Sequence, residues 1–465
     1  MPNTRSLFAA AAALAMAACS TAPDYHRPTA ATPPAFKEAA GWQTAGTAVP
    51  PAGKWWQAFG DATLDGLEEQ VAGGNFDLAA ATARYEQARG LVRQARSDLY
   101  PEIGVGASAG RQRVSAGRPL SPTDSAATYT VATVGPSLDY EVDLFGRVRN
   151  SIRASTAAAQ ASEADVAGLR LGLQAQLATA YFDMRGLDAR IVLLRETVTA
   201  FERAFRLTDT RHSGGIASGI DVSRAQSQLS SARAELSSVA IARQRDEHAI
   251  AVLIGRPPAE VTIAVVDRQL APPAIPAGLP STLVERRPDI AAAERRVAAA
   301  NARIGVARAA LFPSLTLGAS GGFQAATGAL FSASNTFWAL GPVSAALAVF
   351  DGGRRRAGVR IARADYDETV ATYRQTVLDA FREVEDDLSA QRLLAAQEKD
   401  QHVAADAAAR TRDSALTRYR DGAADYLDVV TAQTAALDAQ RALLDLRSRQ
   451  LQTATDTIRA LGGAY

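Results

Sequence analysis

Apolar residues alternate with small or polar ones along a few stretches of this chain and recur at helical spacing almost everywhere else. Ile103, Val105, Ala107 and Ala109 take one face of the stretch Ile103 to Arg113, against Gly104, Gly106, Ser108 and Gly110 on the other. Leu315, Leu317, Ala319 and Phe323 repeat that pattern against Ser314, Thr316, Gly318 and Ser320. Period two with one small or polar face predicts strands placed between lipid and water. The same helix exit precedes each, Leu99-Tyr100-Pro101 and Leu311-Phe312-Pro313. The proline cannot continue a helix and pushes its predecessor toward extended geometry, so it marks the switch of period.

A second strand is predicted from about Tyr129 to Leu144, where Val134, Leu138, Tyr140, Val142 and Leu144 alternate with Thr133, Ser137, Asp139, Glu141 and Asp143. Acidic residues at every other position point to a watered lumen. The loop between the first two strands carries Pro119, Pro122 and Asp124. A fourth strand, about Thr336 to Phe350, is less regular: Trp338, Leu340, Val343, Leu347 and Phe350 do not keep one face.

Helical spacing runs from about Leu64 to Leu99 and again, for much longer, from Val148 to Arg211. Sixty-odd helical residues reach on the order of 90 to 100 Å. The distal half keeps a heptad, with Leu177, Met184, Ile191, Val198 and Phe205 at one position and Ala180, Leu187, Leu194 and Phe201 at the other. After the turn Ser213-Gly214-Gly215 a second helix to about Ile254 answers with Val222, Leu229, Leu236 and Ile250, and with Ala225, Ala232, Val239 and Leu253; Arg243 and Asp246 interrupt it. Two such helices predict an antiparallel coiled-coil hairpin. The order then repeats: helix, Pro313, two strands, the Gly352-Gly353 break, a helix to about Arg418, a turn at Asp421-Gly422 and a last helix to about Leu461. Asp221, Ala225 and Gln226 match Asp428, Ala432 and Gln433, each pair 207 apart (428 minus 221, 432 minus 225, 433 minus 226).

The expected organisation is therefore a signal peptide at 1–18, a lipid-anchored Pro-rich tether at 19–54, a first repeat at 55–260, a Pro-rich connector at 261–280 with Pro272, Pro273, Pro276 and Pro280, and a second repeat at 281–465. Arg5 and the apolar run Leu7 to Ala18 form a secretory signal too short to serve as an anchor. The single cysteine, Cys19, ends Leu14-Ala15-Met16-Ala17-Ala18-Cys19, which resembles a bacterial lipobox with Met16 where leucine is usual. Cys19 is the expected acylated first residue of the mature chain, and Ser20 after it is compatible with sorting to the outer membrane.

Composition narrows the partners. A chain of 465 residues, 47% hydrophobic and 21% charged, buries a large core, and a net charge of +1 without a basic block argues against nucleic acid. Four scattered histidines and one cysteine support no metal site and no cofactor. Gly106-Ala107-Ser108-Ala109-Gly110 and Gly318-Ala319-Ser320-Gly321-Gly322 have the spelling of a nucleophile elbow. That motif needs a strand, a sharp turn and a helix, and here it falls inside alternating strands. No catalytic residue is assigned and the protein is not expected to be an enzyme.

Strands in lipid must close, because an open edge leaves backbone groups unpaired. Four cannot close alone, two copies give eight strands whose interior side chains fill, and three copies give twelve around a lumen. The fold class expected is mainly α with membrane β, a tandem-repeat protomer supplying four strands to a shared barrel. At this point the residues resemble a known family. Pro23-Asp24-Tyr25-His26-Arg27-Pro28, Trp55-Trp56 with Phe59 and Asp61, the paired strand entries, Asp143-Leu144-Phe145-Gly146-Arg147 and Arg286-Arg287-Pro288-Asp289-Ile290 look like the outer membrane factor family, TolC-like lipoprotein channels of the NodT type. The resemblance implies a homotrimer with a twelve-stranded outer-membrane β-barrel continued by a long α-helical periplasmic barrel. It further implies docking to a periplasmic adaptor and to an inner-membrane transporter of the resistance-nodulation-division (RND) type, as the passive exit duct of a drug efflux pump. A type I secretion conduit shares the architecture, and a periplasmic coiled-coil scaffold lipoprotein would share the hairpins but not the strands.

Site residues follow from that resemblance. It puts Asp425 and Asp428 where such channels carry acidic rings at the periplasmic entrance, and three copies would gather three Asp425 carboxylates round one axis as a selectivity and gating ring. An ordinary helix start, with Asp425 as N-cap, accounts for the same spacing. Arg211, Ser218 and Arg418 at the two turns are candidate adaptor contacts, with a solvated surface as the plainer reading. Arg354, Arg355 and Arg356 read as an interfacial charge cluster.

Overall fold

A computed structural model describes residues 21–39, 53–117, 125–266, 270–273, 275, 286–326 and 329–463. The signal peptide, Cys19, the loop with Pro119, Pro122 and Asp124, and Pro276 and Pro280 of the connector lie outside the described residues. The chain falls into two compact units.

The first unit comprises Met1–Thr29, Arg84–Glu163 and Ala292–Arg374. It holds an antiparallel sheet of β1 (Glu102–Val114), β2 (Ala127–Val142), β3 (Ser314–Ala325) and β4 (Thr336–Ala346) in the order β1-β2-β3-β4. Residues paired across strands share a face. Ile103 pairs with Leu138, Leu138 with Ala319 and Ala319 with Leu340, while Tyr140 pairs with Leu317 and Leu317 with Val343. One face is thus largely apolar from Ile103 to Ala109 and across β2, β3 and β4, with the pair Arg111 and Thr130 and, on β4, Thr336 sharing it; Ile103, Val105, Leu340 and Val343 on it are largely exposed. The other face carries Ser137, Asp139, Glu141, Thr316 and Ser320, with hydrogen bonds between Gln324 and Thr133 (3.2 Å) and between Thr316 and Ser344 (3.1 Å).

The irregularity of β4 has a local cause. Between the pairs Leu317–Val343 and Ala319–Leu340, β3 advances two residues and β4 three, a bulge at Gly341-Pro342. The extra residue changes the phase, so Trp338 and Leu340 before it and Val343 after it all lie on the apolar face. Alternation counted along the chain misses this, and the strand ends at Ala346, short of the expected Phe350. Gly135 of β2 and Gly322 of β3 allow a close approach: a Cβ on Gly135 would sit 1.8 Å from the Gly321 oxygen, and one on Gly322 would sit 2.1 Å from the Val134 oxygen.

The second unit comprises Ala30–Ala83, Ala164–Ala291 and Gln375–Tyr465. The expected single helix from Leu64 to Leu99 is two, α1 (Ala62–Gly74) and α2 (Phe76–Ser97). Asn75 breaks it: Oδ1 accepts from Leu78 N (3.0 Å) while Nδ2 donates to the Leu253 carbonyl (2.8 Å), and Gly74 lets the Ile254 carbonyl approach closer than any side chain would permit. The long helices are α3 (Arg147–Ser213) and α4 (Gly219–Leu253), then, after α5 (Pro288–Ala309), α6 (Arg354–Arg420) and α7 (Tyr426–Ala460). The pairs have equal lengths, 67 and 67 residues, 35 and 35. Their starts keep the 207-residue offset (354 minus 147, 426 minus 219).

Heptad residues are the core of the α3–α4 hairpin. Leu177, Met184, Ile191, Leu194 and Phe201 are buried on α3, and Ala225, Leu229, Ala232, Val239, Ile250 and Leu253 on α4. Where Arg243 interrupts the heptad, it enters a buried ion network, donating to Asp188 (3.0 Å), to Glu247 (2.5 Å) and to the Ile263 carbonyl, while Arg185 donates to the other Asp188 oxygen (2.8 Å). Among the described residues no helix is long and apolar enough to cross a membrane.

The stretch expected as a tether is extended over Thr21 to Phe36, but it is held along its length. In the first unit Thr21 donates to the Gly305 carbonyl (2.8 Å), Asn301 to the Pro23 carbonyl (2.9 Å), and the Tyr25 hydroxyl bonds to Glu294. In the second, Phe36 is buried edge-on to Phe381, and Glu385 accepts from the backbone of Lys37 and Glu38. Over its described residues 21–39, the stretch expected as a Pro-rich tether is a docked arm.

Candidate functional site

The turns that end α3 and α6 lie in the second unit and bring together most of the predicted site residues. Ser218 starts α4 with a capping box: its Oγ accepts from Asp221 N (3.2 Å), and Asp221 returns a bond to Ser218 N (3.3 Å). Asp425 holds the equivalent position before α7 with the same extended backbone, yet its carboxylate makes no capping hydrogen bond. Asp425 and Asp428 are both exposed. The helix therefore starts without Asp425 acting as its side-chain cap, and two carboxylates three residues apart face solvent.

Beneath them Tyr426 and Tyr419 pack edge-on, ring centres 5.4 Å apart, in a buried cluster with Ala225 and Val429. Burial, with Tyr419 beside it, pushes the Tyr426 hydroxyl up to about 12. It stays neutral at any physiological pH.

Arg211 is not a free surface cation. Its guanidinium donates to the Tyr419 carbonyl (2.7 Å) and to the Arg420 carbonyl (3.0 Å), and it lies 4.7 Å from the Tyr419 ring centre. Those two carbonyls end α6; the Tyr419 carbonyl also accepts from Gly422 N in the turn (3.1 Å), and a cation from the last turn of α3 completes the cap of the other hairpin. Arg418, 207 residues on, turns inward on its own loop and donates to the Ala423 carbonyl (3.2 Å). The same residue type at equivalent positions of the two repeats does different work. At these turns Ile216, Ile220 and Leu427 are apolar side chains left exposed.

Higher in the second unit, burial raises several carboxyls. Asp246 is pushed up to about 6 by burial and then by Asp183, and the two line one cavity of about 340 Å³. Asp387 is raised to about 7 by burial first and next by Asp456. Glu68, fully buried with both oxygens unpartnered, is raised to about 9, chiefly by burial. None is marked by a motif.

Other predicted residues are structural. Trp55, Trp56 and Phe59 pack in the core of the second unit, where Phe59 meets Phe182 at 4.6 Å and Asp61 accepts from the Tyr181 hydroxyl (2.9 Å). Buried Arg287 ties Asp289, Glu383 and the Ala460 carbonyl together. Asp143 caps the start of α3 through Val148 N and Arg149 N. Ser108 and Ser320 lie inside β1 and β3, facing neighbouring strands rather than sitting on a turn before a helix. Among the described residues no group of three or more His, Cys, Asp or Glu is placed to hold a metal ion.

An antiparallel sheet with one apolar and one polar face, carried by a protomer with two 67-residue helices folded back as hairpins, defines a membrane-channel class of architecture. The family model described as outer membrane efflux protein matches residues 67–256 and again 279–463. The chain belongs to that family. It is 35% identical over 460 residues to the outer membrane protein OprJ of Pseudomonas aeruginosa, covering 97% of this chain and 94% of OprJ. It is 34% identical over 465 residues to the toluene efflux pump outer membrane protein TtgF of Pseudomonas putida, covering 98% and 96%. The solved outer-membrane channel OprN superposes with a TM-score of 0.88 at 33% identity, over 96% of this chain and 99% of that one.

Proposed function

We propose that this protein is the outer-membrane channel of an RND-type tripartite efflux pump, a passive duct that carries small toxic compounds out of the cell. It works as a homotrimer in which three four-stranded sheets close one barrel. One observation carries the reading: β1 and β4 end a sheet whose apolar face runs across all four strands, so both edges must find partners in lipid. Efflux is favoured over type I secretion by the named relatives, among them a toluene efflux pump component. A scaffold lipoprotein would have no use for the sheet.

Asp425 and Asp428 form the cation-attracting ring at the entrance. Support for that reading is the exposure of both carboxylates and the absence of a capping bond from Asp425. Arg211 holds the entrance in its present conformation by capping α6. The periplasmic adaptor docks at these turns, against Ser218 and the exposed Ile216, Ile220 and Leu427. Repeat boundaries at 55–260 and 281–465 follow the element order, and Cys19 is the lipid anchor that adds hold on the bilayer. Planar-bilayer recording tests the function: purified protein should form cation-preferring pores. Protein that inserts and yet never conducts would sink the duct.

A further inference from the structure

The two repeats diverge where strand gives way to long helix in the first unit. Set on the 207-residue offset, Glu141-Val142-Asp143-Leu144-Phe145-Gly146-Arg147-Val148-Arg149 aligns with Ala348-Val349-Phe350-Asp351-Gly352-Gly353-Arg354-Arg355-Arg356. In the first copy both arginines have acids. Arg147 donates through Nε and Nη2 to the two oxygens of Glu141 (2.7 and 2.7 Å), and Arg149 donates to Asp143 (3.1 Å). In the second copy the arginines persist as Arg354 and Arg356, while the positions of their acids hold Ala348 and Phe350.

The local structure does not account for them. Arg355, between the two, is engaged with Asp351 (2.8 Å) and the Ala310 carbonyl (3.0 Å). Arg354 and Arg356 are exposed, and among the described residues their guanidiniums make no hydrogen bond or ion pair. The first turn of α6 contains no acid, and cations there oppose the helix dipole. Beside them Val349 is 94% and Phe350 90% exposed. Two guanidiniums without a hydrogen bond or ion pair among the described residues and two large, almost fully exposed apolar side chains make a surface that is cationic and greasy together. That combination matches the boundary of a bilayer, where phosphate meets acyl chain.

We propose that Arg354 and Arg356, with Val349 and Phe350, are a docking surface for anionic phospholipid at the helix-bearing end of the sheet. The guanidiniums take the phosphates, and the apolar pair enters the acyl boundary. The first repeat, with its acids in place, lacks the function. This rests on the reading that the apolar face of the sheet meets lipid.

The full chain in detergent micelles is titrated with fluorescent phosphatidylglycerol, with phosphatidylcholine carrying the same fluorophore as reference, and polarisation reports binding. The wild type should prefer phosphatidylglycerol, and R354Q/R356Q should lose about 25-fold of that preference, about fivefold for each arginine near an anionic headgroup (about 1 kcal/mol). R354K/R356K should keep most of it, which shows that the positions tolerate substitution. The proposal fails if R354Q/R356Q keeps the preference, or if inorganic phosphate displaces the lipid at equal concentration. It also fails if the variant separates into single copies with its lipid preference intact, which would assign the arginines to acids of a second copy. Equal binding of the two lipids by the wild type ends this proposal alone; binding of neither ends the membrane reading with it.

Discussion

Replacing Arg211 by alanine should loosen the joint between α3 and the end of α6. The side chain gives two hydrogen bonds to the last carbonyls of α6, at 2.7 and 3.0 Å, and a contact with the Tyr419 ring at 4.7 Å. Shielded hydrogen bonds to a charged group contribute about 1.5–3 kcal/mol, a cation at a helix C-terminus about 0.3–1 and an exposed cation–π contact about 0.5–1. The guanidinium is half in solvent, so these overlap and are screened, leaving a net on the order of 2 kcal/mol. If the contacts exist only in the closed conformation, their loss multiplies the open-to-closed ratio by about 30, since 1.4 kcal/mol is tenfold. Single-channel recording reads that ratio directly as time spent at high conductance. Arg211→Lys keeps the charge but not the fork and should fall between wild type and alanine. An Arg211→Ala channel with unchanged open probability, and unchanged amide exchange at residues 419–423, would refute the clamp.

Other perturbations separate the remaining parts of the account. Asp425→Asn should lower cation preference in bilayer recordings with little change in melting temperature, since the carboxylate caps nothing; a loss of stability without a change in selectivity would make it a helix cap after all. Asp387 is raised to about 7, so its charged form costs stability that is absent near pH 4, grows as pH rises through 7 and is constant above. Asp387→Asn should therefore stabilise at pH 8 by on the order of 1–2 kcal/mol, the ceiling of about 4 being cut by solvent at this half-buried site, and should be neutral near pH 4 in denaturant titrations. Leu194→Ala, at a fully buried heptad position, should cost about 2–5 kcal/mol in the same titrations. Gly135→Val should abolish the heat-modifiable band on gels, because its side chain would occupy the backbone of β3.

Periodic features were legible in the chain itself. Leu177, Met184 and Ile191 repeat every seven residues because a coiled hairpin buries one stripe, and Ile103 and Val105 alternate because a strand between lipid and water has two unlike faces. What escaped is what one residue decides. Asn75 splits a run of good helical spacing by reaching the Leu253 carbonyl, a partner 178 residues away. The extra residue in β4 inverts a parity that alternation assumes constant. Arg211 and Arg418 are indistinguishable in sequence, and only the fold sends one across to α6 and the other back on its own loop. The Thr21 to Phe36 arm carries no period at all, and its docking depends on isolated partners such as Glu294 and Phe381.

Stoichiometry in detergent is the most direct measurement of the central claim, that one chain provides four strands of a wall completed by its neighbours. Light scattering on the purified, detergent-solubilised protein should give a mass of three copies. A homogeneous single copy that keeps its sheet and conducts when reconstituted would contradict it.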